Sequence, residues 1–442
     1  MRRLTLTWTA MGSLLLALPA TVRAQAGQAS STVPVLSSGQ MPSATPALSE
    51  APPNVLTLGL TARAHYDDNA LVGAVPRQWD MLYMVSPRIA FTETRPRLEW
   101  GLSYAPGVNF SQNLLHRNQF EQQFNGNFNW LVSPHGLLAA QEYYLVSTDP
   151  FSQLGGAVSP GPTVSPNQGP YIPNIRRTMT LSNALYSYRF SERTSAGIGG
   201  DFLLSKYDNT PRSGPTTALI QTQRSSGKAY VSHQISARNS IGAQYSIQDL
   251  RFPRWNARTT TNTILIFDQV NLSPTSSLTI YGGPDHTNTF NQVQLSLGFI
   301  IITIPVKAQQ WSGAGGVIYH WTGNRVGVSL DFTRGVSDGG GLVGAVELNS
   351  GRADISWRLS KRWSLMTSAG GDSETLLATS NDRSLLTYRE RVGLSQQITQ
   401  KMAINWYYER LNQTGGFGNF PVGNHDFVGA SLTYSLMRPI GR

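Results

Sequence analysis

Residues that could do chemistry come in three groups. In the first, His65 with Asp67 and His425 with Asp426 set an imidazole near a carboxylate, the pairing a general base uses. No serine nucleophile motif accompanies either pair, so the chain reads as a non-enzyme. In the second, Tyr66-Asp67-Asp68-Asn69 lines up three oxygen side chains that could suit a hard cation. The spaced ligands and turn glycine of a calcium loop are missing, and the stretch reads as a polar turn ending a strand. Gly155-Gly156, Gly339-Gly340-Gly341 and Gly415-Gly416 lack the lysine and helix of a phosphate loop and read as flexible loop glycines. With no cysteine there is no thiol chemistry, and no metal or cofactor is implied.

The third group is a set of charges that recur at every second position of long alternating runs. From Arg97 to Phe110 the even positions are Leu, Trp, Leu, Tyr, Pro, Val and Phe, while the odd ones are Arg, Glu, Gly, Ser, Ala, Gly and Asn. Phe120, Phe124, Phe128, Trp130 and Val132 repeat the apolar row, opposite Gln119, Glu121, Gln123, Asn125, Asn127 and Asn129. Strand side chains alternate between faces, so each run has one apolar and one polar face. Each is about ten residues or more, enough to cross a bilayer as a tilted strand. Charged and amide groups along whole faces of such aromatic strands predict a membrane β-barrel with a wet interior. The same alternation turns Arg63, Glu99, Glu121, Arg325, Asp331, Arg352, Asp354, Arg358, Arg389 and Arg391 toward the lumen. These are the candidate constriction residues: they either pair with one another or form a field that selects solutes. The arginines of the first, fourteenth and sixteenth strands suggest a basic wall with weak anion preference.

The elements that must position them follow from composition and punctuation. Charged residues are 14% of 442, against 42 Gly, 17 Tyr, 16 Phe and 10 Trp, which suits a lipid-facing exterior and a neutral polar lumen. Residues 1–24 have a basic start, a short apolar core and Val22-Arg23-Ala24, the pattern of a secretory signal. Residues 25–54 are rich in Ser, Pro, Ala and Gln and read as a disordered periplasmic leader. The barrel is expected over 55–442. Tight turns such as Phe190-Ser191-Glu192-Arg193-Thr194, Ile235-Ser236-Ala237-Arg238-Asn239-Ser240 and Leu359-Ser360-Lys361-Arg362-Trp363-Ser364 recur, giving eight short connections between nine long ones. That pattern predicts 18 antiparallel strands in up-and-down order, or 16, because 283–309 reads either as two extended strands or as an outer hairpin. Trp100, Trp130, Trp321 and Trp363 sit beside short turns, as an interfacial girdle would. The formal charge of +10 favours anionic solutes or lipopolysaccharide phosphates, and the scattered arginines carry no nucleic-acid motif.

The strand ending Tyr66-Asp67-Asp68-Asn69, the repeated Ser-x-Arg/Lys-x-Ser-like turns and the run Phe427-Val428-Gly429-Ala430-Ser431-Leu432-Thr433-Tyr434 resemble the β-barrel porin 2 type of outer-membrane protein. The resemblance covers residues 55 to 442. It implies an outer-membrane location, a porin-like channel and an association with exopolysaccharide clusters, with passage or export of polysaccharide as the expected activity. Alternatives are a non-conducting structural barrel of an envelope complex and, less favoured, a hydrolase at the rim. The expected partners are outer-membrane lipid, lipopolysaccharide, the barrel-assembly machinery and a polar solute. The chain departs from outer-membrane barrels in ending Met437-Arg438-Pro439-Ile440-Gly441-Arg442 instead of on an aromatic residue, so Tyr434 or Leu436 is the expected anchor for assembly.

Overall fold

A computed structural model describes residues 54–70, 77–114, 118–148, 175–208, 219–297, 300–341, 344–377, 384–415 and 423–439, with backbone alone for 292–305. The expected signal segment and nearly all of the leader lie outside these residues. Eighteen strands are formed: β1 Val55–Asp67, β2 Asp80–Arg95, β3 Leu98–Ser111, β4 Gln119–Ser133, β5 Gly136–Ser147, β6 Arg176–Arg189, β7 Thr194–Asp208, β8 Thr222–Ser236 and β9 Asn239–Phe252. The second half is β10 Ala257–Ser273, β11 Ser276–Leu297, β12 Ile300–Thr322, β13 Val326–Ser337, β14 Val346–Arg358, β15 Trp363–Leu376, β16 Ser384–Thr399, β17 Met402–Gly415 and β18 Gly423–Pro439. Each pairs antiparallel with its neighbours in sequence, and β1 pairs with β18 from Val55↔Pro439 to Asp67↔Phe427. The sheet is therefore a closed antiparallel barrel, and closure removes the edges an open sheet would expose.

The eight tight turns fall where they are expected, and at five of them a serine or threonine supplies the reason. Ser191 Oγ accepts the backbone N–H groups of Arg193 and Thr194 at 3.3 and 3.1 Å. Ser360 Oγ does the same for Arg362 and Trp363, at 3.2 and 3.1 Å. Ser236, Ser273 and Thr399 each accept the N–H two residues on. A hydroxyl that satisfies a turn N–H fixes a tight reversal locally, so the repeat is a turn device. The described residues of the 283–309 stretch form strands: β11 and β12 pair without a break from Ser276↔Trp321 to Leu297↔Ile300. β10 accompanies β11 only to Phe290, and β13 accompanies β12 only from Gly315, so the hairpin rises beyond its neighbours.

Facing follows the alternation. Leu58, Leu60, Leu102, Val108, Ile198, Ile264, Ile266, Leu330, Phe332 and Val428 are exposed on the outer face. The intervening residues are shielded by the concave lumen side. Near the short turns, Trp130, Trp357 and Trp406 are exposed, and Trp363 stacks on Trp406 at 5.9 Å. Inside, aromatic rings lie flat over glycines of the adjacent strand: Tyr230 over Gly197, Phe267 over Gly242, Tyr281 over Gly316 and Tyr407 over Gly429. Any Cβ at those glycines would occupy the ring's place, so the glycines set the rings against the wall.

Candidate functional site

The lumen is narrowed by the connection between β13 and β14. Past Ser337 the chain turns inward through Gly339, Gly340 and Gly341, at φ of 60°, 55° and 106°. This is the left-handed region, where a residue with Cβ costs roughly 1–2 kcal/mol. The triglycine therefore takes a conformation that a residue with Cβ would strain. Strands β7, β8 and β9 receive it. Thr222 Oγ1 donates to Asp338 Oδ2 at 2.7 Å, and Tyr207 O–H donates to the Gly340 carbonyl. The Ile220 N–H donates to the Gly341 carbonyl at 2.9 Å, and Gln248 Nε2 reaches the Val336 carbonyl at 3.5 Å. Under these polar ties Ile220, Leu250, Phe252, Ala257, Val336 and Ala345 form a buried apolar cluster. Tyr207 is itself set from below: the Arg177 guanidinium lies over its ring, 5.6 Å from the centroid, and Arg177 Nη2 donates to Ser205 Oγ at 3.0 Å.

The loop runs along a chord of the ring, from β13 and β14 to β7–β9, in front of β10–β12. The inward residues there are buried: Thr259, Thr261, Thr263, Asp285 and Thr287. They bond to one another across the ladder, with Thr263 Oγ1 donating to Asp285 Oδ1 at 3.0 Å. Most of the sequence candidates lie elsewhere in the ring, on β1, β3, β4, β14 and β16. Arg63, Glu99, Glu121, Asp331, Arg352, Asp354, Arg358, Arg389 and Arg391 occupy inward positions of β1, β3, β4, β13, β14 and β16. Arg325 does not: β13 begins at Val326, and Arg325 belongs to the turn before it.

Three of the six candidate arginines form ion pairs among the described residues. Arg352 and Asp354 form an ion pair, with Nη2 donating to Oδ1 at 2.8 Å and Nε 2.7 Å from Oδ2 without hydrogen-bond geometry. Arg389 meets Asp372 at 3.1 Å, and Arg391 meets Glu409 at 3.0 Å while lying over the Tyr407 ring. Across the lumen Arg224 pairs with Asp201 at 3.1 Å. Glu121 is buried and accepts from Asn109 Nδ2 at 2.6 Å and Ser147 Oγ at 2.9 Å. The wall of β14–β17 is a run of paired opposite charges, so its long-range field is much weaker than a row of free guanidiniums would give. Within the basic wall expected from the sequence, Asp372 pairs with Arg389 and Glu409 with Arg391, each from a strand adjacent to β16.

Asp67 and His425 meet across the closure, Nδ1 to Oδ1 at 3.5 Å, with 0% and 2% of their side chains exposed. The imidazole stacks on Phe427. In this conformation a substrate has no access to the pair. Asp67-Asp68-Asn69 acts as a polar turn that fastens the first strand to the last: Asp67 Oδ1 accepts the Asn69 N–H, Asp68 Oδ1 accepts the Asp426 N–H at 2.8 Å, and Asn69 Nδ2 donates to the Asn424 carbonyl.

Sequence reasoning missed Tyr207, Thr222 and Asp338. The available signal was Asp338 followed by three glycines directly after an alternating strand. No family model and no curated protein matches the chain. Solved structures similar to it include OccAB4 of Acinetobacter baumannii, 9% identical with a TM-score of 0.44, covering 88% of this chain and 99% of that one. OpdO of Pseudomonas aeruginosa is 12% identical with a TM-score of 0.41, covering 87% and 97%. OccK2 (OpdF) of Pseudomonas aeruginosa is 9% identical with a TM-score of 0.42, covering 87% and 98%.

Proposed function

We propose that this chain is a porin-like channel of a bacterial outer membrane, admitting small polar solutes through a lumen narrowed by the β13–β14 loop. The observation that carries the reading is the closed 18-stranded ring with an apolar outer face, holding a loop inside it by named bonds to the far strands. Barrels of 16–18 strands leave room for an aqueous channel, and a loop bound within one reduces the bore to a filter. Solutes pass on the β1–β4 and β14–β18 side. There Gln123, Asn125, Asn127 and Asn129 of β4 offer donors and acceptors to hydroxyl-rich molecules, and the paired charges of β14–β17 favour neither ion sign strongly. Sugars of one or a few residues fit this lining. A polysaccharide chain, the cargo the family resemblance implies, would require the loop to leave its site.

Purified protein in planar bilayers should show discrete openings that added disaccharide or trisaccharide interrupts. A complete absence of openings would instead favour the non-conducting structural barrel, for which the buried apolar cluster beneath the loop is the supporting observation.

A further inference from the structure

We propose that the outer face of the β9–β10 hairpin, at the loop end, binds the phosphate of an anionic lipid headgroup in the outer leaflet. The proposal takes the membrane-spanning reading as given and goes beyond it. Arg251 and Arg258 are direct partners in the β9–β10 register. Both point outward, in the rows of Tyr245 and Ile247 on β9 and of Ile264 and Ile266 on β10, all exposed. Two like charges placed opposite each other repel and destabilise a strand pair. One carboxylate sits between them: Asp249 Oδ2 accepts from Arg251 Nε at 2.7 Å, and Oδ1 accepts from Arg258 Nε at 2.6 Å. Asp249 is largely covered, while the two guanidinium side chains are 59% and 56% exposed. The carboxylate thus engages each Nε and leaves the terminal nitrogens of both forks facing outward, with one positive charge in excess. Arg254, in the turn Pro253–Trp255 that joins the strands, adds another exposed cation beside the exposed Trp255.

Height along the wall selects the ligand. Arg251 is four residues above Ile247, and Arg258 six above Ile264. At about 3.3 Å per residue and a strand tilt of about 40°, the guanidiniums stand roughly 10–15 Å above the last outward isoleucines. That is the level of lipid phosphates. A guanidinium fork matches phosphate oxygens in a bidentate way that an ammonium does not, and two forks oriented by one shared carboxylate form a preorganised cradle. The lipid class this fits is a phosphorylated glycolipid of the outer leaflet, whose acyl chains would lie along Tyr245, Ile247, Ile264 and Ile266.

The test is native mass spectrometry of the detergent-solubilised full chain with added diphosphoryl lipid A, compared with R251Q/R258Q. Both positions are exposed and Gln keeps a donor, so the variant should remain folded, which heat-modifiable migration on gels checks. The expected result is at least a tenfold loss of lipid retention in the variant, little retention of dephosphorylated lipid A by the wild type, and no effect of millimolar inorganic phosphate. Equal retention by wild type and R251Q/R258Q, or equal retention of the dephosphorylated lipid, would overturn the proposal. Displacement by millimolar inorganic phosphate would assign the cradle to free phosphate and overturn the lipid reading. Bilayer conductance of the same preparations keeps this outcome separate from the channel reading, because the cradle lies outside the lumen.

Discussion

The inward loop can be released by two substitutions that leave the barrel wall intact, T222V and Y207F. Thr222 donates to the Asp338 carboxylate, and a hydrogen bond to a charged group contributes about 1.5–3 kcal/mol. Tyr207 donates to a neutral carbonyl, for about 1 kcal/mol. Y207F keeps the ring beside the Arg177 guanidinium, and T222V keeps the size of threonine while removing the hydroxyl that donates to the buried Asp338. Together the pair should weaken the seated loop by roughly 3 kcal/mol, about a hundredfold in the equilibrium between seated and lifted states. The Ile220–Gly341 backbone bond and the apolar cluster remain, so the loop should lift intermittently and not melt. In planar bilayers the wild type should give a steady open level. T222V/Y207F should add a larger sublevel with frequent transitions, and G340A, strained at positive φ, should move in the same direction. A conductance histogram and open-channel noise identical to wild type in T222V/Y207F would refute the view that this loop sets the bore.

Three further outcomes follow from the wall. L102R should destabilise the folded barrel by about 2–4 kcal/mol in a urea refolding titration, while S103R, one residue along and facing water, should cost much less; equal costs would contradict the register. R391Q leaves Glu409 without its guanidinium and should shift the reversal potential under a salt gradient toward cations at low salt, whereas R391Q/E409Q should lie close to wild type. S360A removes the acceptor of two turn N–H groups and should lower stability by about 0.5–1.5 kcal/mol without changing conductance, a comparison that separates turn chemistry from lumen chemistry.

The wall of this protein was legible in its sequence because period-two alternation is a local signal. Arg97 to Val132 states both faces of β3 and β4 residue by residue, and serines such as Ser191 and Ser360 mark the turns. The lumen was only partly legible. Alternation says that Arg389 and Arg391 point inward, but their partners Asp372 and Glu409 come from the strands on either side, and pairing across strands depends on register. The loop was least legible. Gly339-Gly340-Gly341 has the same composition as a flexible tether, and only the positions of Tyr207 and Thr222, more than a hundred residues earlier, show that it is bound. The 283–309 stretch was ambiguous for a related reason: how far a hairpin rises depends on where its neighbouring strands stop.

The seam between β1 and β18 has a consequence for how the molecule is made. Thr61 and Thr433 meet there across 372 positions of sequence, whereas every other neighbouring pair of strands is adjacent in the chain. Loop-closure entropy grows as (3/2)RT ln n, so joining the seam costs about 3 kcal/mol more than closing a hairpin of about 15 residues. Hairpins therefore form early, and the ring closes last, from a curved open sheet whose two bare edges are the first and final strands. Until that moment Asp68 and Asn69 stand apart from their counterparts on the last strand, and the backbone groups of Leu58 to Tyr66 can template any passing strand. The polar clasp of Asp68 on the Asp426 N–H and Asn69 on the Asn424 carbonyl then acts as the final latch, formed only when the register of the seam is correct.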